Sequence, residues 1–507
     1  MEQSCERSCS RVKYFLDSVH GTIKIPSEYC DKIIDTRYFQ RLRRIEQNSC
    51  RSVFPCARHD RFVHSLGVFH LGQRIVSSIK EKNSEHFPEK ADKVFRSYEI
   101  ACLLHDVGHT PFSHTFEKFF CVDNIISRFN ERFGEDFEKD LDILAKKPAN
   151  HEYISAYVSL IAFEDVLVKE FKIDLELFVR MIIGNKYQNN NGNDNFSFDN
   201  AMIELIHGDT IDADGLDYIC RDAWAGGYRN FTVDMERLIS SIEIDCQKNN
   251  KGIYKYRVVY NSKALNEIET ALNVKNFQQL YVLNHHKVLL EQYLLVEAMK
   301  SAACYHYEKA NNDEKTRTEA IETLCNYEIY EKVFQITKHN YNLHLPSDDD
   351  FVILMKLCNQ EDYYIKQWFS RKYEIIPLWK SKIEYFNAFK DLRKENDDII
   401  NNDDIINILQ SPKCKKFICE KYKLDNNQVI VKGVEFSLRK LKEGINIKLN
   451  DEIKPYSELN YEGISAKSSE VKFCYMYVSK KLDKKEVIQE LKEYLRNELQ
   501  KLQKLQD

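Results

Sequence analysis

Turn-forming residues are scarce in this chain. Its 507 residues include 15 glycines and 9 prolines, where average usage would supply about 35 and 25. With so few breakers, long helices are predicted to dominate and a glycine-rich phosphate-cradling loop is excluded. No Cys-x-x-Cys occurs among the 15 cysteines. The nearest pairs, Cys5/Cys9, Cys50/Cys56 and Cys414/Cys419, lack a four-ligand zinc spacing. An odd, scattered set suits a reducing cytosol better than an oxidising compartment. No run of 18 apolar residues exists, which argues against a membrane-spanning helix, and the start MEQSCERSCSRVKYF has no apolar signal-peptide segment. Neither charge is in excess: 74 Lys and Arg stand against 79 Asp and Glu, a net charge of −5. Such a balance disfavours a nucleic-acid coat protein, although a local basic groove would survive the average. With 43% hydrophobic and 30% charged residues, the chain reads as a folded cytoplasmic protein of two or three domains.

What is present is organised. YFLDSVHGTIKI alternates around His20-Gly21 and predicts a hairpin. Helical spacing follows in 31–45, 62–82 and 93–107. Thr110-Pro111 reads as an N-cap with proline at the first helical position, predicting a helix PFSHTFEKFF. Helices are expected again over 151–185, 198–225 and 264–309, with the polar run 187–200 and the stretch 396–404 as exposed connections. Residues 415–482 carry β-like alternation in NQVIVKGVEFSL and EVKFCYMYVSKKL. The last segment, KKEVIQELKEYLRNELQKLQKLQ, places Ile488, Leu491, Leu495, Leu499 and Leu502 on one helical face, expected to pack on its own domain. The fold class is therefore mainly α. It comprises a helical core over 1–310, a helical or irregular region of unassigned role over 311–410, and a smaller α+β part over 411–507.

Four stretches concentrate hard-to-bury groups among apolar residues: RHDRFVHSLGV (58–68), ACLLHDVGHTPFSH (101–114), NHEY (150–153) and IDADGLDYICRD (211–222). Burying a histidine–aspartate pair after two leucines is costly without a compensating partner. A divalent metal ion is such a partner, because imidazole and carboxylate both ligate borderline-hard ions. An HD dipeptide alone carries little weight, and a lone helical histidine is usually a satisfied core residue. The ordered set His64, His105-Asp106 and Asp214 is a stronger signal.

These motifs, in this order, resemble the HD-domain phosphohydrolase superfamily, and more narrowly its deoxynucleoside-triphosphate triphosphohydrolase branch. The likeness runs through SVHGTIKI and IIDTRYFQRLRRIEQ to NHHKV (284–288), returns weakly in VKFCYMYVSKKLDKKEV, and leaves 311–410 uncovered. No sterile-alpha-motif domain is expected before the HD region. The resemblance implies an HD-domain helical core and a metal held by His64, His105, Asp106 and Asp214, whether Mg, Mn, Fe, Zn or Co. It places His109, His151 and Glu152 around a nucleophilic water, His114 as general acid, and Glu117 as the carboxylate orienting a histidine. Arg61 would hold the α-phosphate. Tyr218 and Asp222 would line the sugar, Gln47 would meet a 3′-hydroxyl, and Asp217 with Arg221 would form an ion pair within the helix.

Where those relatives carry a phosphate-gripping lysine or arginine, this chain has Gly215. Asn276, beside Lys275, replaces a phosphate-binding arginine, and Asn284 with His285 replaces the Tyr-Gln pair that meets the base. Lys275, Lys287 or Arg58 are candidates to compensate. Lys13, Asp35, Gln40 and Arg43, with His286 and Lys287, match positions where regulated relatives bind an activating nucleotide at a subunit junction. The implied activity is hydrolysis of a dNTP to deoxynucleoside and triphosphate. It would be activated by GTP or a dNTP in a homo-oligomer (dimer or tetramer) and would serve dNTP-pool control or antiviral defence. The alternatives are an HD phosphohydrolase or phosphodiesterase acting on another nucleotide or single-stranded nucleic acid, and a nucleotide-sensing scaffold.

Overall fold

The computed structural model describes every residue except 1–10, 84–86, 145–146, 189–195, 209–210, 229–232, 249–253, 312, 337, 339–340, 394–400, 439–444, 451, 460–469 and 507. Half of the predicted polar loop 187–200 and the first part of the connection 396–404 therefore lie outside the described residues. The chain is mainly α-helical with small sheets. It forms two compact units that are discontinuous in sequence: 1–275, 299–358 and 440–461 in the first; 276–298, 359–439 and 462–507 in the second. The linear divisions read at 310 and 410 follow chain order, and these units do not.

In the first unit, strands β1 (Val12–Asp17) and β2 (Gly21–Pro26) pair antiparallel as the predicted hairpin, with Gly21 at φ +72° in its turn. Four helices frame the chemistry: α1 (Arg61–Asn83), α2 (Ala91–Leu104), α3 (Asn150–Asp165) and α4 (Ala213–Gly226). Asp60 caps α1 by accepting from the Val63 N–H, and Asp212 caps α4 by accepting from the Gly215 N–H. Apolar positions of α2, among them Ile100, Ala101, Leu103 and Leu104, are fully buried. The hydrophobic pair that led into HD in the sequence is thus packed core.

Strands β3 (Ile242–Lys248) and β4 (Tyr254–Asn261) form an antiparallel pair that sequence reading left unassigned. The alternation of YKYRVVYN carried the signal. Strand Asn446–Leu449 adds parallel to β4, and Glu452–Pro455 adds beyond it. That pairing is why residues from the sequence's C-terminal part belong to the first unit.

PFSHTFEKFF does not form the predicted helix. Phe112 and Ser113 both take left-handed backbone, at φ 53° and 51°, which a continuing α-helix excludes. The Thr110 hydroxyl donates to the Ser113 carbonyl instead of capping, and only two 3₁₀ turns follow, at Ser113–Thr115 and Glu117–Phe119.

The second unit holds a three-stranded sheet in the order Ile375–Pro377, Glu470–Ser479, Val429–Ser437, antiparallel throughout. The C-terminal helix Lys484–Gln506 lays Val487, Leu491, Leu495 and Leu499 into the same core as Phe473, Met476, Trp379 and Leu409. The leucine stripe packs on its own unit, as its length suggested; Leu502, at 43% exposure, lies past the buried part. Leu491→Ala should therefore cost about 2–5 kcal/mol of stability, and Leu502→Ala should stay within about 0.5 kcal/mol. Denaturant unfolding of the two variants checks this contrast.

Candidate active site

His64 stands in the first turn of α1, His105 and Asp106 follow the last residue of α2, and Asp214 lies in the first turn of α4. Helix ends are what let adjacent His105 and Asp106 face one point. His64 Nε2 is 3.0 Å from Asp214 Oδ1, 3.6 Å from Asp106 Oδ2 and 3.3 Å from His105 Nε2. His105 Nε2 is 3.4 Å from Asp106 Oδ2 and 3.7 Å from Asp214 Oδ1. All four residues expected from the sequence thus turn donor atoms toward one another. The arrangement fits a divalent metal ion: ligand atoms of His64, His105 and Asp106 lie within 4.8 Å of one another, and Asp214 Oδ1 lies 3.0 and 3.7 Å from the two imidazole Nε2 atoms.

The imidazoles are set for that role. The His105 Nδ1 faces the Cys102 carbonyl at 3.0 Å, and His64 Nδ1 faces Asp217 Oδ2 at 2.7 Å. Each Nδ1 is thereby committed to an acceptor outside the cluster, leaving Nε2 as the nitrogen pointed at the cluster. Burial opposes charge on His64, but its hydrogen bonds to Asp214 and Asp217 outweigh this and raise its pKa to about 9 in the metal-free protein. Burial also opposes charge on Asp106, and the Arg61 guanidinium 2.6 Å away holds it well below the usual carboxylate range.

Asp217 and Arg221 form the expected (i, i+4) ion pair, at 2.8 and 2.9 Å. The pair has a second task that sequence reading missed, since Asp217 is also the orienting partner of His64. Gly67, one turn along α1 from His64, makes it possible. A Cβ there would lie 1.9 Å from Asp217 Oδ1 and 2.5 Å from an Arg221 nitrogen.

A second histidine group adjoins the first. His109 stacks on His151 with ring centroids 4.5 Å apart, and His114 lies 5.0 and 5.1 Å from them. Glu117 bridges His114 Nδ1 at 2.8 Å and His151 Nδ1 at 2.9 Å, and also accepts from the His151 backbone N–H. Burial alone would raise the Glu117 pKa, yet those two imidazole hydrogen bonds carry it far below the usual range. The same contact raises His151 against its own burial. Arg61 spans the two groups, with one nitrogen on Asp106 and another 3.4 Å from His114 Nε2, its Nε donating to Ser113 Oγ and its Nη2 to the Gln47 carbonyl. The three imidazoles are close enough to hold an ion themselves. A guanidinium against His114 Nε2 makes that edge better suited to an anion. Glu152 stands apart: its carboxylate accepts from the Ala149 N–H at the start of α3 and lies 3.6 Å from His207.

Asp222 is held by Asn48 and His59, both at 2.6 Å, while Gln47 is buried with its Oε1 unpaired among the described residues. Lys275, on helix α5 (Leu265–Phe277), reaches Asp212 at 3.6 Å and the Tyr218 ring at 5.6 Å. Its Nζ lies 2.3 Å from where a Cβ on Gly215 would sit. Lys13 pairs with Asp31 and Asp35, and Arg43 with Gln40. His285, His286 and Lys287 belong to the second unit, where the two imidazole rings lie 4.4 Å apart.

Residues from the region of unassigned role brace the loop that carries His105 to His114. Asp348, first residue of helix α6 (Asp348–Lys356), accepts from the Phe112 N–H at 2.6 Å and from the Glu46 N–H at 2.9 Å. Buried Arg41 donates to the carbonyls of Val107, His109 and Pro346, and the Tyr330 hydroxyl donates to His109 as well. Gly108 lets this loop touch α3: a Cβ would sit 2.6 Å from the backbone of Ile154 and Ser155. No motif marks Asp348, because its partners are backbone groups more than 200 positions away.

Comparison with known proteins agrees with the motifs. Residues 61–170 match the family described as HD domain. A Dictyostelium discoideum deoxynucleoside triphosphate triphosphohydrolase SAMHD1 homolog is 33% identical over 45% of this chain and 39% of its own length. An uncharacterized protein of Bacillus subtilis, YwfO, is 32% identical over 45% and 44%. The chicken deoxynucleoside triphosphate triphosphohydrolase SAMHD1 is 28% identical over 58% and 46%. The chain thus spans less than half the length of each of these relatives. Two solved structures share the fold at 20% identity: a hypothetical protein from Aquifex aeolicus (TM-score 0.58, 96% of this chain and 100% of that one) and a phosphohydrolase from Bacteroides thetaiotaomicron (0.59, 93% and 100%). Residues 61–170 thus match an HD domain, and the chain's sequence relatives include proteins named as deoxynucleoside triphosphate triphosphohydrolases.

Burial pushes the Asp348 carboxyl up to about 7. Between pH 4 and 7 the folded protein therefore holds a proton that the unfolded chain has released, so this group's contribution to stability falls as pH rises. The stability of the parent relative to Asp348→Asn should decline over that range by up to about 1.4 kcal/mol per pH unit and level off above it. Denaturant titrations of both proteins at pH 4.5, 6 and 7.5 check the slope; a constant difference refutes the assignment.

Proposed function

We propose that this protein is a metal-dependent HD phosphohydrolase that converts a dNTP and water into a deoxynucleoside and triphosphate. One observation carries the reading. Four ligand-type side chains, with donor atoms 3.0–3.7 Å apart, stand beside an Arg61-linked histidine group wired to one carboxylate.

A divalent ion bound by His64, His105, Asp106 and Asp214 would supply Lewis-acid polarisation of a phosphoryl oxygen and a lowered pKa for attacking water. The protein's own groups do the rest. Arg61, a planar donor fork between Asp106 and His114, suits an α-phosphate oxygen. His114 has Nδ1 on Glu117 and Nε2 on the side of Arg61, so a proton at Nε2 would reach a departing 5′-oxygen. Glu117, accepting from Nδ1–H, orients the ring and stabilises the imidazolium formed when Nε2 also carries a proton. His109 and His151 wall the same space. Glu152 acts at one remove by holding the start of α3, rather than on water.

On the sugar side, Gln47 with its unpaired Oε1 is suited to a 3′-hydroxyl, and Tyr218 with Asp222 forms the wall. Lys275 replaces the cation missing at Gly215. Nucleotide activation through Lys13, Asp35, Gln40 and Arg43, homo-oligomer formation, and a role in dNTP-pool control or antiviral defence remain part of this reading by resemblance. Gly215 also favours a second one: with fewer fixed cations for the outer phosphates, a nucleotide carrying fewer phosphates becomes a candidate substrate.

Each dNTP incubated with Mn or Mg, with and without GTP, should yield deoxynucleoside and triphosphate; no hydrolysis of any of them sinks the proposal. Equal rates on monophosphates would favour the second reading. His114→Ala should lower kcat about 10²–10⁴-fold with metal binding retained, as seen by metal analysis of the purified variant. Lys275→Ala should raise KM for a triphosphate far more than for a monophosphate, and steady-state kinetics on both will show whether it does.

A further inference from the structure

We propose that the β1–β2 hairpin is part of the metal centre, with His20 in its turn acting as a positioning residue that sets metal affinity through Asp217 and His64. This rests on the metal site proposed above and extends it outward.

The chain of contacts is continuous and buried. His64 turns one nitrogen to the metal-ligand cluster and the other to Asp217 Oδ2 at 2.7 Å. The other Asp217 oxygen meets His20 Nε2 at 2.6 Å, with side-chain exposures of 4% for His20 and 0% for Asp217. Arg221 chelates the same carboxylate and then reaches Asp17 at 2.8 Å. Asp17 in turn accepts from the backbone N–H of Val19 and His20, which shapes the turn so that His20 points inward. The hairpin thus makes two side-chain contacts with one buried ion pair, His20 on the carboxylate and Asp17 on the guanidinium.

Physical consequences follow from where the charge lies. A carboxylate donating electron density to a ligating imidazole raises its basicity and fixes its ring plane. Asp217 can do so only while its Oδ2 stays on His64 Nδ1, and it is fully buried. Its orientation is set by the donors around it, of which His20 comes from outside α4 and α1. Removing His20 leaves one Asp217 oxygen with Arg221 alone and opens space beside it, so the carboxylate can rotate off His64. The hairpin, not a helix of the ligand-bearing core, then limits how firmly His64 is held. Strand alternation puts Lys13 on the same face of β1 as Asp17, about 13 Å away. The Lys13 ammonium is paired with Asp31 and Asp35, so the strand is anchored at both ends.

The experiment is a Mn(II) titration of the full chain by calorimetry, with chelator competition, on the parent, His20→Ala and His20→Gln. His20→Ala should weaken Mn(II) binding about 10–100-fold, and His20→Gln, which keeps a donor of similar reach, should recover most of it. Thermal unfolding of the metal-free proteins shows whether each variant is folded. Should His20→Ala misfold, Asp17→Asn is the second variant, expected to weaken binding in the same direction. Mn(II) affinity of a folded His20→Ala within twofold of the parent overturns the proposal while leaving the metal site intact. A parent that binds no Mn(II), Fe(II) or Mg(II) overturns both.

Discussion

Two buried carboxylates, Asp106 and Asp217, lie toward opposite nitrogens of one imidazole, His64, and the rest of the centre is arranged to keep them ionised out of water. Neither is more than 2% exposed. An isolated charge in such a place costs several kcal/mol even after relaxation. The chain meets this with paired cations and donors: Arg61 on Asp106, Arg221 and His20 on Asp217. Each carries a second partner, so satisfying charge also fixes geometry. Arg61 ties Asp106 to His114; Arg221 ties Asp217 to Asp17. The two carboxylates differ in what remains open to them. The Asp106 oxygen that Arg61 holds is also the one that faces the Nε2 atoms of His64 and His105, at 3.6 and 3.4 Å. Asp217 is fully engaged and can act only through His64.

Backbone geometry carries the next constraint. After α2 ends at Leu104, the chain must deliver His105, Asp106, His109, Ser113 and His114 within ten residues. A helix would spread these around its circumference. The loop instead takes left-handed backbone at Phe112 and Ser113, a conformation that persists only when the surroundings over-determine it. Here they do: Asp348 accepts from the Phe112 N–H, Arg41 and Tyr330 donate to loop carbonyls, and Gly108 lies against the backbone of α3. The geometry of the histidine and aspartate clusters is thus set partly by a segment that contributes none of their side chains.

How much of this was legible in sequence follows from the range of the interactions. Motif residues clustered within a dozen positions, such as His105, Asp106, His109 and His114, were readable because dense polar groups in an apolar run demand an explanation. The hairpin at His20-Gly21 and the helices through His64 and Asp214 were readable from period and turn chemistry. The helix expected after Thr110-Pro111 was not there, because a favourable cap-and-proline signal lost to tertiary hydrogen bonds on Phe112. Asp348 and Arg41 were invisible, since each serves backbone atoms that carry no sequence identity. Asp217 was seen only as half of an ion pair. Its spacing from Asp214, three residues along a helix, already put both carboxylates on neighbouring faces, and the histidine between them was the missing clue. Glu152 was the reverse case: beside His151 in the sequence, but spent on its helix end.

The sharpest physical question is how a chain with a net charge of −5 would receive a polyanion where three aspartates already meet. Coulomb repulsion at a few ångströms is worth several kcal/mol at a protein-like dielectric, so distant surface charge cannot decide the matter and local cations must. Gly215 supplies no side-chain cation in the first turn of α4. The structure places the Lys275 ammonium in the space a side chain at 215 would have entered, steadied by Asp212 at 3.6 Å and lying 5.6 Å from the Tyr218 ring centroid. A lysine arriving from α5 differs from one rooted on α4 in what it is fixed to. Its position depends on α5 rather than on the backbone that carries Asp214. Positive charge thus stands beside the ligand-type cluster without being rooted on the helix that carries Asp214.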